Sequence, residues 1–103
     1  MSKWIDVANV AEIAPGTWKT VYLEQERIAV INLEHEFYAI QDLCTHDGGS
    51  FTGGEIEGDQ IICPRHGATF CIKTGEVTCP PAYEDVLTFP TRVVDGIVQV
   101  QIH

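Results

Sequence analysis

The chain has 103 residues, 45% of them apolar, which bounds it to a single domain with a real core and excludes a disordered segment. Fifteen Asp/Glu against six Lys/Arg leave a net charge of −9, which argues against a nucleic-acid or anionic-membrane binder, since either needs clustered cations. No apolar run approaches the about 20 residues of a membrane span, and the start, Met1-Ser2-Lys3-Trp4-Ile5-Asp6, lacks the apolar stretch of a secretory signal, so a cytoplasmic, reducing location is expected.

Along the chain, Asn9-Val10-Ala11-Glu12 has the spacing of a capping box and predicts one helical turn, stopped by Pro15-Gly16. Thr17–Leu23, Arg27–Leu33 and Glu36–Gln41 are rich in Val, Ile, Tyr and Phe and are broken by polar turns, so three strands are predicted. Residues 28–33 read as a well-buried strand, and Glu34-His35 as the tight turn after it. Phe70-Cys71-Ile72 suggests a further strand with Cys71 as a small buried thiol, and Cys79, before Pro80, reads as structural too. Near the end, Arg92–Val100 is a hairpin signal, because Asp95-Gly96 supplies the positive φ angles of a type I′ turn. Trp4, Trp18, Phe37, Tyr38 and Phe89 read as core or strand aromatics, and His35 and His103 as solvated. The balance is one all-β domain over 1–103, an antiparallel sandwich or partly open barrel.

Residues 43–67 break that pattern and are expected to form an inserted subdomain. Gly48, Gly49, Gly53, Gly54 and Gly58 fall within eleven residues, where the backbone must turn sharply or approach something closely. Glu55, Glu57 and Asp59 form an acidic run there, read as a solvated loop that is able to face a partner. The segment carries two short motifs, Cys44-Thr45-His46 and Cys63-Pro64-Arg65-His66-Gly67, with sixteen residues between His46 and Cys63.

Each motif offers one thiolate and one imidazole. Zinc fingers usually space their first pair by two to four residues and put the two His together, whereas both pairs here are mixed. A dithiol redox centre lacks its Cys-x-x-Cys. A catalytic Cys–His pair fits the spacing but leaves the second pair unexplained. A [2Fe–2S] cluster takes all four donors, with two Cys on one iron and two His on the other. Two ferric ions and two sulfides sum to +2. Four thiolates would bring that to −2, but two thiolates and two neutral imidazoles bring it to 0, and a neutral site accepts an electron more readily.

The two motifs resemble the cluster-binding boxes of the Rieske family. Ala68-Thr69-Phe70-Cys71-Ile72-Lys73-Thr74-Gly75-Glu76 continues the likeness, and Pro80-Pro81 resembles the family's proline loop. The resemblance covers essentially the whole chain. It implies one [2Fe–2S] cluster on Cys44, His46, Cys63 and His66, with the His side exposed. At this length the chain is most similar to the ferredoxins that serve bacterial ring-hydroxylating oxygenases. That implies a monomeric electron carrier, not an enzyme, working between an NAD(P)H-dependent flavoprotein reductase and a terminal Rieske oxygenase. The small subunit of assimilatory nitrite reductase is the alternative; a zinc-held interaction module is the remote one. In the Rieske proteins of cytochrome bc complexes, a disulfide joins two further cysteines and a Ser and a Tyr hydroxyl lie near the cluster. The matching positions here are Gly49 and Arg65, and Ala68 and Phe70. Hydrogen bonds to cluster sulfurs stabilise the reduced state, so a comparatively strong reductant is expected. Cys71 and Cys79 are not expected to pair across the Thr74-Gly75 turn in a reducing compartment.

Overall fold

The computed structural model describes residues 3–45 and 47–102. Eleven strands are described: β1 (Lys3–Asn9), β2 (Thr17–Leu23), β3 (Glu26–Leu33), β4 (Glu36–Gln41), β5 (Glu55–Glu57), β6 (Gln60–Ile62), β7 (Thr69–Cys71), β8 (Val77–Cys79), β9 (Thr88–Phe89), β10 (Thr91–Val94) and β11 (Ile97–Ile102). They form three antiparallel sheets, β1-β11-β10, β2-β3-β4-β9 and β5-β6-β7-β8, and none closes into a barrel. Among the described residues no helix is long and apolar enough to cross a membrane.

Strand β3 explains the arrangement. Ile28 and Val30 pack with Val98, Val100 and Ile102 of β11, while Ala29 and Ile31 pack with Phe51, Ile61, Ala68, Phe70 and Ile72. All four β3 residues are fully buried. A strand covered on both faces reads as a continuous apolar run rather than an alternation, which is what residues 28–31 show. The second sheet is therefore a middle layer, with the first sheet on one face and the third on the other.

Tight turns fix the registers. Glu24-Gln25 and Glu34-His35 close the β2–β3 and β3–β4 hairpins at φ 46°, 72° and 53°, 72°. Asp95-Gly96 closes β10–β11 at 52° and 77°, the left-handed pair of a type I′ turn. The predicted turn at Val10–Glu12 is a single turn of 3₁₀ helix, and the Glu12 carboxylate accepts from the Asn9 backbone N–H at 2.8 Å.

Two expectations change. Cys71 is half-buried and Cys79 exposed, both as free thiols, because β7 alternates: Phe70 and Ile72 point into the core and Cys71 away. Cys79 ends β8, an edge strand of the third sheet. Of the acidic run, Glu55 and Glu57 lie not in a loop but on strand β5, paired with β6, while Asp59 lies in the turn between the two strands. Trp4, Trp18, Phe37, Tyr38 and Phe89 are half-buried on strands. The wholly buried aromatics are Phe51 and Phe70, edge to face at 5.4 Å.

Candidate metal centre

The two sequence motifs fold as one loop made twice. In the first, the Cys44 N–H donates to the Gly49 carbonyl at 2.8 Å and the Gly48 N–H to the Cys44 carbonyl at 2.7 Å. In the second, the Cys63 N–H donates to the Ala68 carbonyl at 2.8 Å and the Gly67 N–H to the Cys63 carbonyl at 3.1 Å. Each loop thus closes between residues five apart, with the fifth residue at positive φ: Gly48 at 75° and Gly67 at 76°. An L side chain at that position would be strained, so both glycines are required by the turn.

The loops bring Cys44 and Cys63 together from 19 positions apart in the chain. Both are buried, 0% and 1% exposed, and their sulfurs and an Asp47 carboxylate oxygen all lie within 4.8 Å of one another. Behind them sit Phe51, Ile61, Ala68 and Phe70. The His66 side chain is 51% exposed, with Nδ1 3.6 Å from Asp47 Oδ2. His46, the remaining sequence candidate, lies outside the described residues. Two buried thiols with an imidazole at the rim form a soft donor set, suited to an iron–sulfur cluster and not to hard cations such as calcium or magnesium. The residues present fit such a group.

The first loop is anchored at its root by a group that the sequence reading missed. Asp42 is fully buried and accepts from Thr20 Oγ1, Ser50 Oγ and the Phe51 N–H, each at 2.8 Å. Arg27 of β3 donates through Nε to the Asp42 carbonyl at 2.8 Å and through Nη2 to the Gly48 carbonyl at 3.3 Å; Nε also lies 3.8 Å from Oδ2. The sequence signal was available: an acid interrupting Ala39-Ile40-Gln41-Asp42-Leu43, with one of only six cations placed at the strand it pairs with.

Arg65 was also missed as a binding partner. Its guanidinium reaches from the second loop to Asp47 in the first, Nε to Oδ2 and Nη2 to Oδ1 at 3.1 Å, and its Nη1 donates to the Ser50 carbonyl at 2.9 Å. The Arg65 cation, with the Gly49 N–H donating to Oδ1 at 2.9 Å, holds the Asp47 carboxyl far below the usual carboxylate range. Thr45 Oγ1 donates to the Glu84 carbonyl at 2.7 Å, so the segment after Pro80-Pro81 closes over the first loop. Gly75 makes that fold-back feasible, since a Cβ there would sit 2.3 Å from the Val86 carbonyl oxygen.

Residues 3–90 match the sequence profile of the Rieske [2Fe–2S] domain. The chain belongs to the Rieske family. One [2Fe–2S] cluster is the cofactor of that family. Among curated relatives, the ferredoxin component of the naphthalene 1,2-dioxygenase system of Pseudomonas aeruginosa is 33% identical over 100 residues, covering 97% of this chain and 96% of that one. One chain of the complex of reduced oxygenase and oxidized ferredoxin in carbazole 1,9a-dioxygenase superposes with a TM-score of 0.89 at 34% identity, over 94% of this Rieske domain and 91% of the other. A nitrite reductase small subunit from Mycobacterium tuberculosis has a TM-score of 0.88 but only 20% identity, over 100% and 97%, and shares the fold alone.

Proposed function

We propose that this Rieske protein is the ferredoxin component of a ring-hydroxylating dioxygenase system. It takes single electrons from an NAD(P)H-dependent flavoprotein reductase and delivers them to a terminal Rieske oxygenase in the cytoplasm. Cys44, His46, Cys63 and His66 hold its cluster. The observation that carries the reading is the repeated loop, which delivers two buried thiols to within 4.8 Å and leaves His66 at the surface. When bound, the cluster supplies a one-electron couple. The chain's own residues do the rest: Phe51, Phe70 and Ala68 exclude water from the thiol side, and the exposed imidazole offers a short path to a docked partner. The identity to dioxygenase ferredoxins, against a fold-only likeness to the nitrite reductase subunit, favours the dioxygenase reading.

Iron and acid-labile sulfide analysis tests it first, with about two of each expected per chain. Stoichiometric zinc without sulfide would overturn the cluster reading. Cys44→Ala should lose the cluster and much of the order of the loops it ties together. A cluster-loaded Cys44→Ala protein would remove Cys44 from the set. Anaerobic mixing with a candidate reductase, then with its oxygenase, tests the electron route. Reduction by a nitrite-reductase partner alone would favour the other subunit.

A further inference from the structure

We propose that Arg65 is a positioning residue that latches the two ligand loops together through Asp47 and the Ser50 carbonyl, holding Cys44 and Cys63 in register without a covalent cross-link. The inference rests on the reading of Cys44 and Cys63 as cluster ligands.

The two loops are each closed upon themselves, so something must fix one against the other. The Arg65 guanidinium does this with three N–H groups on three acceptor atoms of the first loop. A two-pronged Arg–carboxylate pair fixes both distance and plane, which a single contact does not. The acceptor is preset, because the Gly49 N–H already holds Asp47 Oδ1. The pair lies at the surface, with side-chain exposures of 37% and 22%, so its two-pronged geometry and not burial is what lets it hold the loops. Gly49 is the seat of the guanidinium: a Cβ there would lie 2.6 Å from Nη2 and 2.7 Å from Cζ. Since Gly49 does not have a positive φ, its lack of a side chain answers to this contact rather than to the turn. The ion pair itself runs from Arg65 to Asp47, and Gly49, two residues further on, leaves room for it.

The latch also balances charge. The Asp47 carboxylate lies beside both thiol sulfurs, and the Arg65 cation pairs with it. Removing either partner therefore has a mechanical effect and an electrostatic one, and the two separate by sign.

The test uses the cluster-loaded protein and two measurements: the rate of cluster loss to an iron chelator, and the midpoint potential. Arg65→Met and Asp47→Asn should each speed cluster loss about tenfold, and the double variant should be no faster than either single, as expected for two residues acting as one unit. Gly49→Ala should speed loss in the same way while leaving every charge in place, because it displaces the guanidinium. Arg65→Lys, with a compact ammonium in place of the fork, should fall between wild type and Arg65→Met. Potentials should move oppositely: down in Arg65→Met, up in Asp47→Asn, and back near wild type in the double, whose cluster loss stays fast. Loss rates at the wild-type value in Arg65→Met and Gly49→Ala, or single effects that add in the double, would overturn the latch. Wild-type protein lacking iron and sulfide would instead overturn the ligand reading. The latch is then judged by amide exchange over 44–50, which should quicken in Arg65→Met and Gly49→Ala and which overturns the proposal if unchanged.

Discussion

The two faces of the middle sheet are built by different rules. On one face, β1, β10 and β11 bury Val98, Val100 and Ile102 against Ile28 and Val30, with strands of four to seven residues in long register. On the other, β5 to β8 have three residues each, and the connections between them carry the chemistry. The outer face is held by apolar area and ladder hydrogen bonds, which are spread over many residues. The inner loops are held by a few specific groups: the Asp42 carboxylate, two arginines, three tight glycines and the ligands. Repeating strands tolerate local change, whereas a loop closed by single bonds does not. The protein separates the part that must be stable from the part that must be shaped.

The same residue type on opposite faces of β3 tests that separation with the largest expected effect. Ile28→Ala and Ile31→Ala remove equal side chains from fully buried sites, and each should cost about 3 kcal/mol in denaturant unfolding. Ile31 belongs to the buried cluster that contains Cys44 and Cys63, and Ile28 to the one that contains the β11 residues. Cluster loss should therefore quicken in Ile31→Ala and stay near wild type in Ile28→Ala. Equal cluster loss in the two would mean that the faces are one cooperative unit.

This division also explains what could be read from the sequence. Thr17–Leu23, Glu36–Gln41 and the Asp95-Gly96 hairpin were legible because period, β-branching and turn residues all act within a few positions. The thiol ligand candidates were legible because soft donors in short motifs are rare and specific, and the structure brings Cys44 and Cys63 together. Asp42 with Arg27, and Asp47 with Arg65, were not. Those pairs span 15 and 18 positions; an acid inside an apolar run hints at a buried Asp42, but nothing local to any of the four residues names its partner. The misread thiol Cys71 failed for a related reason: alternation was visible, but which face met the core was decided by β6 and β3, far along the chain.

At the root of the first loop the expected effect is somewhat smaller. Asp42→Asn keeps the size of the side chain but weakens its acceptor role toward Thr20, Ser50 and the Phe51 N–H. A loss of about 2 kcal/mol is expected, with cluster release quickened because the loop root loosens. Thermal unfolding with and without an iron chelator checks this. Stability equal to wild type would show that the network is replaceable by neutral hydrogen bonds.

Electronic tuning should respond to still finer changes. Ala68 and Phe70 are wholly buried and carry no hydroxyl, so the midpoint should fall near the low end for Rieske centres, roughly −150 mV. Ala68→Ser should raise it by adding a donor beside the second loop. Redox titration to a clearly positive wild-type value would contradict the low-potential expectation, and an unchanged value in Ala68→Ser would place the control in other groups.

The smallest effect concerns how the −9 charge meets a partner. Acidic residues of the 43–67 segment are the candidates for steering, and the structure ranks them. Asp47 is already paired with Arg65 and contributes little free charge. Glu55 is exposed and stands opposite Ile62, next to Cys63, whereas Glu57 pairs with Gln60, two residues further along the hairpin, and Asp59 lies in its turn. Two strand residues span about 7 Å, close to the screening length of about 8 Å at physiological ionic strength. Glu55→Gln should therefore weaken the salt dependence of reduction by the partner more than Glu57→Gln or Asp59→Asn, mainly through association. Asp6, which accepts from Gln99 on the first sheet, and Asp95 in the far hairpin are controls that should change nothing. An apolar patch competes with this picture, since Pro64, Pro80 and the 83%-exposed Tyr83 are also available at the surface. Partner kinetics flat across a salt series, together with a slowed reaction in Tyr83→Ala, would assign docking to that patch and reduce the acidity to a solubility feature.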